Sequence, residues 1–224
     1  MRTRFPCSPE IDISRIPQGR LGILGGTFDP IHMAHLIIAE EARTQLSLDY
    51  VIFVPAMISP LKPGGTFFSN EDRYEMARLA IQDNACFCVS RVDLDRDGPS
   101  FTVDTLKAIK ACCPPGIQLF FIMGMDFLCG LTSWYRPEEI IRLARLAVIS
   151  RPGSVPDLAA LESNLPGISQ ATDLIETLKI GISATDIRAR LREGRSIRYL
   201  VPASVEAYIH DHCPRGDSDG LPDP

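Results

Sequence analysis

The residues best suited to chemistry lie in one segment, LGILGGTFDPIHMAHL, at residues 21–36. Its apolar run ends in Gly25 and Gly26, and glycine lets the backbone approach a phosphate closely. A helix that begins near His32 would point its N-terminal amides and partial positive charge at the same place. His32 and His35 are three positions apart, which puts both imidazoles on one helix face. The segment predicts a phosphate site with two imidazoles beside it.

The histidine pair at a glycine turn suits phosphoryl-type transfer. When a phosphate oxygen attacks the α-phosphate of ATP, the nucleophile is already ionised and pyrophosphate leaves readily, so no covalent nucleophile is needed. The protein must align the reactants and donate hydrogen bonds where negative charge grows. A lone histidine near a turn is more often an ordinary packed residue, and the pairing with glycines favours function. Neither G-x-G-x-x-G nor a P-loop is present, which disfavours dehydrogenase-type binding and P-loop hydrolysis.

Short apolar runs alternate with helical patterns along the first two thirds of the chain. Strands are predicted at 20–25, 50–55, 87–90, 117–123 and 146–150. Helices are predicted at 35–46, 71–82 and 102–110. Ser69 and Asp72 stand at capping-box spacing where the second helix starts. Strands without clean polar alternation, each followed by a helix, predict a doubly wound α/β domain with a parallel sheet.

The pattern changes after residue 151. A strand is predicted near 178–182, and two helices follow it at 184–193 and 203–210, separated by Gly194 and Pro202. These two helices predict a small helical cap at the C-terminal end of the domain, over about residues 183–211.

Composition limits the class of protein. With 224 residues, 45% of them hydrophobic, the chain can bury its own core, and one domain is predicted at 20–211. Residues 1–19 and 212–224 are rich in Pro, Asp and Gly and are predicted to be mobile. A net charge of −5 disfavours nucleic acid as a partner. Because no apolar run reaches the roughly 20 residues of a membrane span and no signal peptide is evident, a cytoplasmic protein without membrane contact is expected.

The seven cysteines form no C-x-x-C pair. A disulfide framework and a zinc site are therefore not expected, and no protein metal site is predicted.

Candidate ligand residues follow the ends of the predicted strands. Lys62 comes after a Pro-rich loop at the carboxyl edge, where α/β sheets hold ligands, and its point charge suits a phosphate. Gly124 and Asp126 follow the strand at 117–123, and the aspartate can accept from ribose hydroxyls or cap a helix. Trp134, the only tryptophan, can stack on a flat ligand ring or pack in the core, and composition alone favours the core.

A second anion site is predicted where the helix at 184–193 starts. Ser183 and Thr185 supply hydroxyls and Arg188 supplies a guanidinium, which suits the β and γ phosphates of ATP. Mg²⁺ is implied by a triphosphate and would be held mainly by phosphate oxygens and water. The neighbouring arginines are interpreted as a solvated basic face: Arg190, Arg192 and Arg195.

GGTFDPIHMAHL resembles the opening signature of the nicotinate mononucleotide adenylyltransferases, G-G-[ST]-F-[DN]-P-x-H-x-G-H. The likeness extends from Leu21 to Ile209 through motifs in the family's order: GPSFTVDTL (98–106), FFIMGMDFL (120–128), SWYRPEEII (133–141), VISRPG (148–153) and ISATDIRARL (182–191). Each motif is weakly specific alone, and the ordered set is specific. Two departures stand out: Ala34 replaces a glycine, and ISPLK (58–62) replaces a Pro-Pro-His-Lys run while keeping Lys62.

This resemblance implies a Rossmann-like nucleotidyltransferase fold and adenylyl transfer from ATP to nicotinate mononucleotide, which gives deamido-NAD in NAD biosynthesis. His32 and His35 would be catalytic. ATP would be bound by Gly25, Gly26, Thr27, Phe28, Ser183, Thr185 and Arg188. The mononucleotide would be bound by Lys62, Thr102, Gly124, Asp126, Trp134 and Tyr135. In the family, backbone amides near the positions of Thr102 and Tyr135 meet the nicotinate carboxylate, and Trp134 matches the platform under the base.

Three other classes of protein are less consistent with the sequence. Pantetheine-phosphate adenylyltransferases have a shorter chain and threonine at the position of His32. Class I aminoacyl-tRNA synthetases share a related histidine pair, but no K-M-S-K-S-like loop occurs here. A nucleotide-sensing module without turnover is disfavoured by the complete set of His32, His35, Lys62 and Arg188. A homo-oligomer stays open, because oligomeric state leaves no trace in the sequence.

Overall fold

The computed structural model describes residues 7–8, 19–58, 65–150, 156–178 and 180–212. Within these residues six parallel strands form one sheet: β1 (Arg20–Gly26), β2 (Tyr50–Pro55), β3 (Phe87–Val89), β4 (Gln118–Gly124), β5 (Arg145–Ser150) and β6 (Thr172–Glu176). Their order across the sheet is β3-β2-β1-β4-β5-β6. The direction of winding therefore reverses between β1 and β4, as in a doubly wound sheet.

Helices connect the strands and cover the sheet. They are α1 (Met33–Gln45), α2 (Asn70–Ala80), α3 (Thr102–Cys112), α4 (Met125–Cys129), α5 (Pro137–Leu143), α6 (Leu158–Asn164), α7 (Ile168–Ala171), α8 (Ala184–Arg192) and α9 (Ala203–His212). One buried cluster joins the sheet to α3 and α5, and a second joins it to α1, α2 and α9. Because both faces of the sheet are buried, the predicted doubly wound α/β class is confirmed. Within the described part of the chain, no helix has the length and hydropathy of a membrane span.

Most predicted elements lie within a few residues of the observed bounds. The capping box of α2 is confirmed: the Ser69 hydroxyl accepts from the Asp72 amide at 3.2 Å, and the Ser69 amide donates to the Asp72 carboxylate at 3.3 Å. The strand predicted near 178–182 is wrong, because the sixth strand is β6, at Thr172–Glu176. β6 is an edge strand in which only Ile175 is buried, so its sequence lacks the apolar pattern of a strand. The apolar residues after it line a cleft instead of forming a strand.

The C-terminal helices pack against the start of the domain. The Ser204 hydroxyl donates to the Leu79 carbonyl at 3.0 Å, and the Tyr208 hydroxyl donates to the Asp72 carboxylate at 2.8 Å. These bonds fix α9 on α2. The Met33 amide, at the start of α1, donates to the Leu200 carbonyl at 2.9 Å, so the predicted C-terminal cap also holds α1.

Cys7 and Ser8, in the N-terminal extension, contact the domain. Ser8 and Val89 exchange two backbone hydrogen bonds of 2.8 Å in an antiparallel bridge at the outer edge of β3. Cys7 packs against the buried cluster that contains Cys88. Mobility across 1–19 stays a prediction, because residues 1–6 and 9–18 lie outside the described part of the chain, as do residues 213–224.

A fully buried arginine joins the loops that follow β1 and β2. Arg73, on α2, is 0% exposed, and its guanidinium donates to the Thr27 carbonyl, to the Ala56 carbonyl at 2.6 Å and to the Asn70 side chain at 2.6 Å. Burial lowers the pKa of Arg73 from its usual value, and the negative charge of Asp29 opposes that effect. The two loops are therefore tied through one side chain.

We expect Arg73→Ala to destabilise the fold by about 3 kcal/mol or more, because it removes a fully buried side chain, opens a cavity and leaves two partly buried carbonyls without donors. The matched control is Arg78→Ala on the same helix, where a partly exposed arginine pairs with Glu75. That change should cost less than about 1 kcal/mol. Denaturant unfolding of both variants measures the difference, and equal losses would contradict the structural role of Arg73.

Candidate active site

A cleft of about 770 Å³ opens at the carboxyl ends of the strands. It spans the turn after β1 and the turn after β4, the neighbouring strands at which the winding reverses. Doubly wound sheets bind ligands at this position, because the loops on either side diverge there and leave a crevice. The volume suits a small-molecule ligand.

The glycine turn forms one wall of the cleft. Gly25, Gly26, Thr27 and Phe28 all line it. Phe28 has φ +50°, an uncommon conformation for a non-glycine residue, and its buried ring lies over Gly26. A Cβ at Gly26 would lie only 2.9 Å from that ring. Glycine is therefore required at position 26 by the packing of Phe28, and the backbone of the turn stays uncovered toward the cleft.

His32 and His35 lie together beside this turn, as predicted from their spacing. His32 is the N-cap of α1, and the two rings are stacked with their centroids 3.8 Å apart. The His32 amide donates to Nδ1 of His35 at 3.2 Å. Because Nδ1 of His35 accepts a hydrogen bond, a neutral His35 carries its proton on Nε2. The Phe28 ring meets His35 edge-on at 5.0 Å and restricts the imidazole.

The protonation state of His32 follows from its burial. The residue is 6% exposed, and desolvation lowers its pKa from 6.5 to about 4. Its Nδ1 is buried and has no hydrogen-bond partner among the described residues. At neutral pH the pair therefore contains an uncharged His32, which can donate from one ring nitrogen only.

The start of α1 offers fewer amides to a ligand than the sequence suggests. The His32 amide is bonded to His35 and the Met33 amide to the Leu200 carbonyl. Ala34, which departs from the family pattern, is buried and lines the cleft. The helix dipole still points there, but two of the expected donors are already used within the protein.

The opposite wall contains the residues predicted to bind the mononucleotide. Gly124, Asp126, Thr102, Trp134 and Tyr135 all line the cleft. Gly124 is the N-cap of α4, and Asp126 is exposed in its first turn, so the alternative of an Asp126 N-cap is not observed. Thr102 is the first residue of α3.

Trp134 lies in a group of aromatic side chains on this wall. Phe121 and Phe127 meet its ring edge-on, with centroids 6.2 and 6.1 Å away. Tyr135 packs against Phe101 with ring centroids 4.7 Å apart. The Tyr135–Phe101 contact brings the loop with Trp134 next to the start of α3, so Thr102 and Tyr135 are neighbours as expected.

The three residues of the predicted second anion site do not all line the cleft. Arg188 lines the cleft, whereas Ser183 and Thr185 are absent from its lining among the described residues. The Ser183 hydroxyl caps α8 by accepting from the Asp186 amide at 3.1 Å. The Thr185 hydroxyl accepts from Nη2 of Arg188 at 3.3 Å. Both hydroxyls therefore have partners within the protein: Ser183 accepts from a free amide at the helix start, and Thr185 accepts from a guanidinium.

The neighbouring arginines match the predicted solvated face. Arg190 pairs with Asp186 and Arg195 pairs with Glu193. The guanidinium of Arg192 lies 5.4 Å from the centroid of the Phe67 ring. Lys62 lies outside the described residues, so its predicted role is neither supported nor opposed by geometry.

Two buried carboxylates in the cleft were not singled out from the sequence. Asp29 is 6% exposed and contacts Arg188. Asp93 is 4% exposed, lies 2.8 and 2.9 Å from the Thr105 hydroxyl and 2.9 Å from Arg96, and burial raises its pKa. Asp29 belongs to the GGTFDP signature, and this position could have identified it as a site residue. Asp93 lies in a loop without a regular sequence pattern, so nothing in the sequence marks it as a site residue.

Among the described residues, no group of three or more His, Cys, Asp and Glu side chains could hold a metal ion.

Comparison with known proteins places the chain in a class. Residues 23–190 match the family model described as cytidylyltransferase-like, which defines a nucleotidyltransferase domain. A relative from Dehalococcoides mccartyi, named probable nicotinate-nucleotide adenylyltransferase, is 42% identical over 194 residues, covering 86% of this chain and 95% of the relative. One of the same name from a Roseiflexus species is 47% identical over 193 residues, covering 86% and 96%. The chain belongs to the nicotinate-nucleotide adenylyltransferase family.

A solved structure supports the fold. The nicotinic acid mononucleotide adenylyltransferase of Plasmodium falciparum, solved in complex with NaAD, superimposes with a TM-score of 0.68 over 86% of this chain and 95% of that chain. The two sequences are 21% identical, so the match concerns architecture.

We expect the depressed pKa of His32 to appear in the pH dependence of stability. Its native pKa of about 4 lies below the unfolded value of 6.5, so the unfolded state binds the proton first as pH falls. Stability from this group is complete above pH 6.5 and is lost progressively towards pH 4. Between pH 7 and 5 the wild type should lose about 2 kcal/mol more than His32→Gln in denaturant unfolding. His210→Gln, at an exposed site, serves as the control and should behave as wild type.

Proposed function

We propose that this protein transfers the adenylyl group of ATP to nicotinate mononucleotide, giving deamido-NAD and pyrophosphate in the cytoplasm. The observation that carries the proposal is one cleft with a stacked histidine pair at a glycine turn on one wall and an aromatic group around Trp134 on the other. A reaction between two nucleotides needs such a pair of facing sites. The two relatives named for this activity support the assignment.

The histidine pair supports transfer without a covalent intermediate. A phosphate oxygen of the mononucleotide attacks the α-phosphorus of ATP, a new P–O bond forms, and the bond to the bridging oxygen of pyrophosphate breaks. His35 is oriented by its bond from the His32 amide, so its Nε2–H can donate to an oxygen that gains charge. His32 is kept neutral by burial, so it would donate from one ring nitrogen and carry no positive charge.

The remaining residues divide between the two substrates. For ATP we assign the backbone of Gly25, Gly26, Thr27 and Phe28, together with Arg188; Ser183 and Thr185 support α8 and Arg188. For the mononucleotide we assign Lys62 to its phosphate, Gly124 and Asp126 to its ribose, Trp134 to its ring, and Thr102 and Tyr135 to its carboxylate. Mg²⁺ would enter bound to ATP and neutralise charge on the phosphates, since no described carboxylate cluster fits it.

Alanine at His32 or at His35 should lower kcat by roughly 10² to 10⁴, because each ring acts mainly in the transition state. ATP affinity and the unfolding midpoint should change much less. Pyrophosphate release from ATP and nicotinate mononucleotide measures turnover, with His210→Ala as an exposed control. Near wild-type turnover in both variants would exclude the proposed mechanism. A wild-type protein that binds ATP but releases no pyrophosphate would favour the nucleotide-sensing alternative.

We expect kcat/KM to favour nicotinate over nicotinamide mononucleotide by at least about tenfold. The two substrates differ only in a carboxylate against a carboxamide, and stacking on Trp134 cannot separate them. Backbone amides beside Thr102 and Tyr135 would donate to the carboxylate, whereas the carboxamide would turn its NH₂ toward a donor and leave a buried group unpaired, at about 1 to 3 kcal/mol.

Trp134→Ala tests whether the indole ring binds the two mononucleotides by stacking alone. It should weaken both mononucleotides by a similar factor, because the indole contacts the part that they share. Equal kcat/KM values for the two substrates in the wild type would contradict the preference for nicotinate mononucleotide. They would not contradict adenylyl transfer itself. A changed ratio in Trp134→Ala would mean that the ring does more than stack.

A further inference from the structure

Arg188 is anchored to the signature turn through Asp29. Its Nη1 donates to the backbone carbonyl of Asp29 at 2.7 Å and lies 3.5 Å from the Asp29 carboxylate. Nη2 contacts the Thr185 hydroxyl at 3.3 Å. These contacts join α8 to a turn 159 positions earlier in the chain, and they leave Nε without a partner among the described residues.

The Asp29 carboxylate is itself fixed from several sides. It is 6% exposed, and its two oxygens accept from the amides of Phe67 and Phe68, each at 2.9 Å. Its charge also acts on the buried guanidinium of Arg73. A carboxylate with two amide donors and two nearby cations has little freedom to move.

This anchoring matters because arginine has a long side chain that loses considerable conformational entropy when a ligand immobilises it. A guanidinium that is already held by one edge presents its other edge to a phosphate at lower entropic cost. The lining of the cleft contains Arg188 and Asp29, and no other arginine or lysine among the described residues. An anchor on this one guanidinium therefore affects the affinity for a polyphosphate directly.

We propose that Asp29 is a positioning residue that fixes Arg188 for the triphosphate of ATP. This inference rests on the proposed function, in which Arg188 binds the phosphates that leave. Asp29 needs no contact with ATP, and its contribution passes through the guanidinium. The effect of removing the carboxylate charge should therefore depend on whether Arg188 is present.

The test is a double-mutant cycle on the affinity for Mg-ATP, measured by titration calorimetry with the full chain. Asp29→Asn keeps the size of the side chain but points an NH₂ group at a neighbouring donor and loses the charge. We expect it to raise the Kd for ATP by about tenfold. Arg188→Ala should raise the Kd by about 30-fold or more, and Arg188→Lys should recover only part because the fork is lost.

In the Arg188→Ala background, Asp29→Asn should change the Kd by less than about twofold. An equal effect in both backgrounds would overturn the proposal, because Asp29 would then act through the fold or through the loop that contains Phe67. Asp173→Asn is the matched control, since it breaks another aspartate–arginine pair, with Arg145, outside the cleft. Arg195→Ala controls for loss of positive charge near α8. Neither control should change the Kd.

The binding readout separates this proposal from the proposed function. A wild type that binds Mg-ATP and gives the predicted cycle, but releases no pyrophosphate with nicotinate mononucleotide, would overturn the function and leave the role of Asp29 intact. If the wild type is active but the effects of Asp29→Asn and Arg188→Ala on the Kd are additive, the role of Asp29 is overturned and the proposed function stands. If Asp29→Asn does not fold, Asp29→Glu displaces the carboxylate by one methylene and completes the same cycle with the same expected loss of coupling.

Discussion

The guanidinium of Arg73 is buried among backbone carbonyls, with the carboxylate of Asp29 as the charge that opposes its desolvation. A buried cation of this kind is costly to form, and it is tolerated when its donors reach carbonyls that would otherwise be unpaired. Here those carbonyls belong to Thr27 and Ala56, the residues that follow β1 and β2. The glycine turn, the loop after β2 and α2 therefore keep one geometry, and Asp29 extends the same network to Arg188.

The electrostatics of the cleft follow from this network. Arg188, the one guanidinium in the lining among the described residues, is bonded to protein groups, and His32 is uncharged because it is buried. A neutral imidazole can donate to a phosphate without a fixed positive charge that would hold the product as tightly as the transition state. Under the proposed function, affinity for the triphosphate and stabilisation of the transferred phosphorus are thus assigned to different groups, Arg188 and the histidine pair.

The sequence pattern predicts those features that depend on interactions between residues close together in the chain. Val51 to Val54 form a continuous apolar run that is buried on both faces, so β2 could be predicted to the residue. The helical spacing of His32 and His35 also placed their rings together. The GGTFDP turn could be predicted for the same reason, because the glycine at position 26 is required by the packing of Phe28, two residues away.

Pattern failed where a residue depends on partners far away in the chain. Arg73 looks like any polar residue on a helix, and its carbonyl partner on Thr27 is 46 positions away. The hydroxyls of Ser183 and Thr185 are groups that can bind phosphates. In the structure they accept hydrogen bonds from the Asp186 amide and the Arg188 guanidinium instead. β6 was missed because an edge strand needs only one buried residue, whereas the apolar segment after it serves the cleft.

The bridge between Ser8 and Val89 has a consequence for how the protein behaves at high concentration. β3 is the outermost strand on its side of the sheet and contains only three residues. An open strand edge presents unpaired amides and carbonyls, which can pair with the edge of another molecule. Ser8 occupies both the amide and the carbonyl of Val89. Ser8 thus blocks this point of the sheet edge, which disfavours pairing of β3 with the edge of another folded chain.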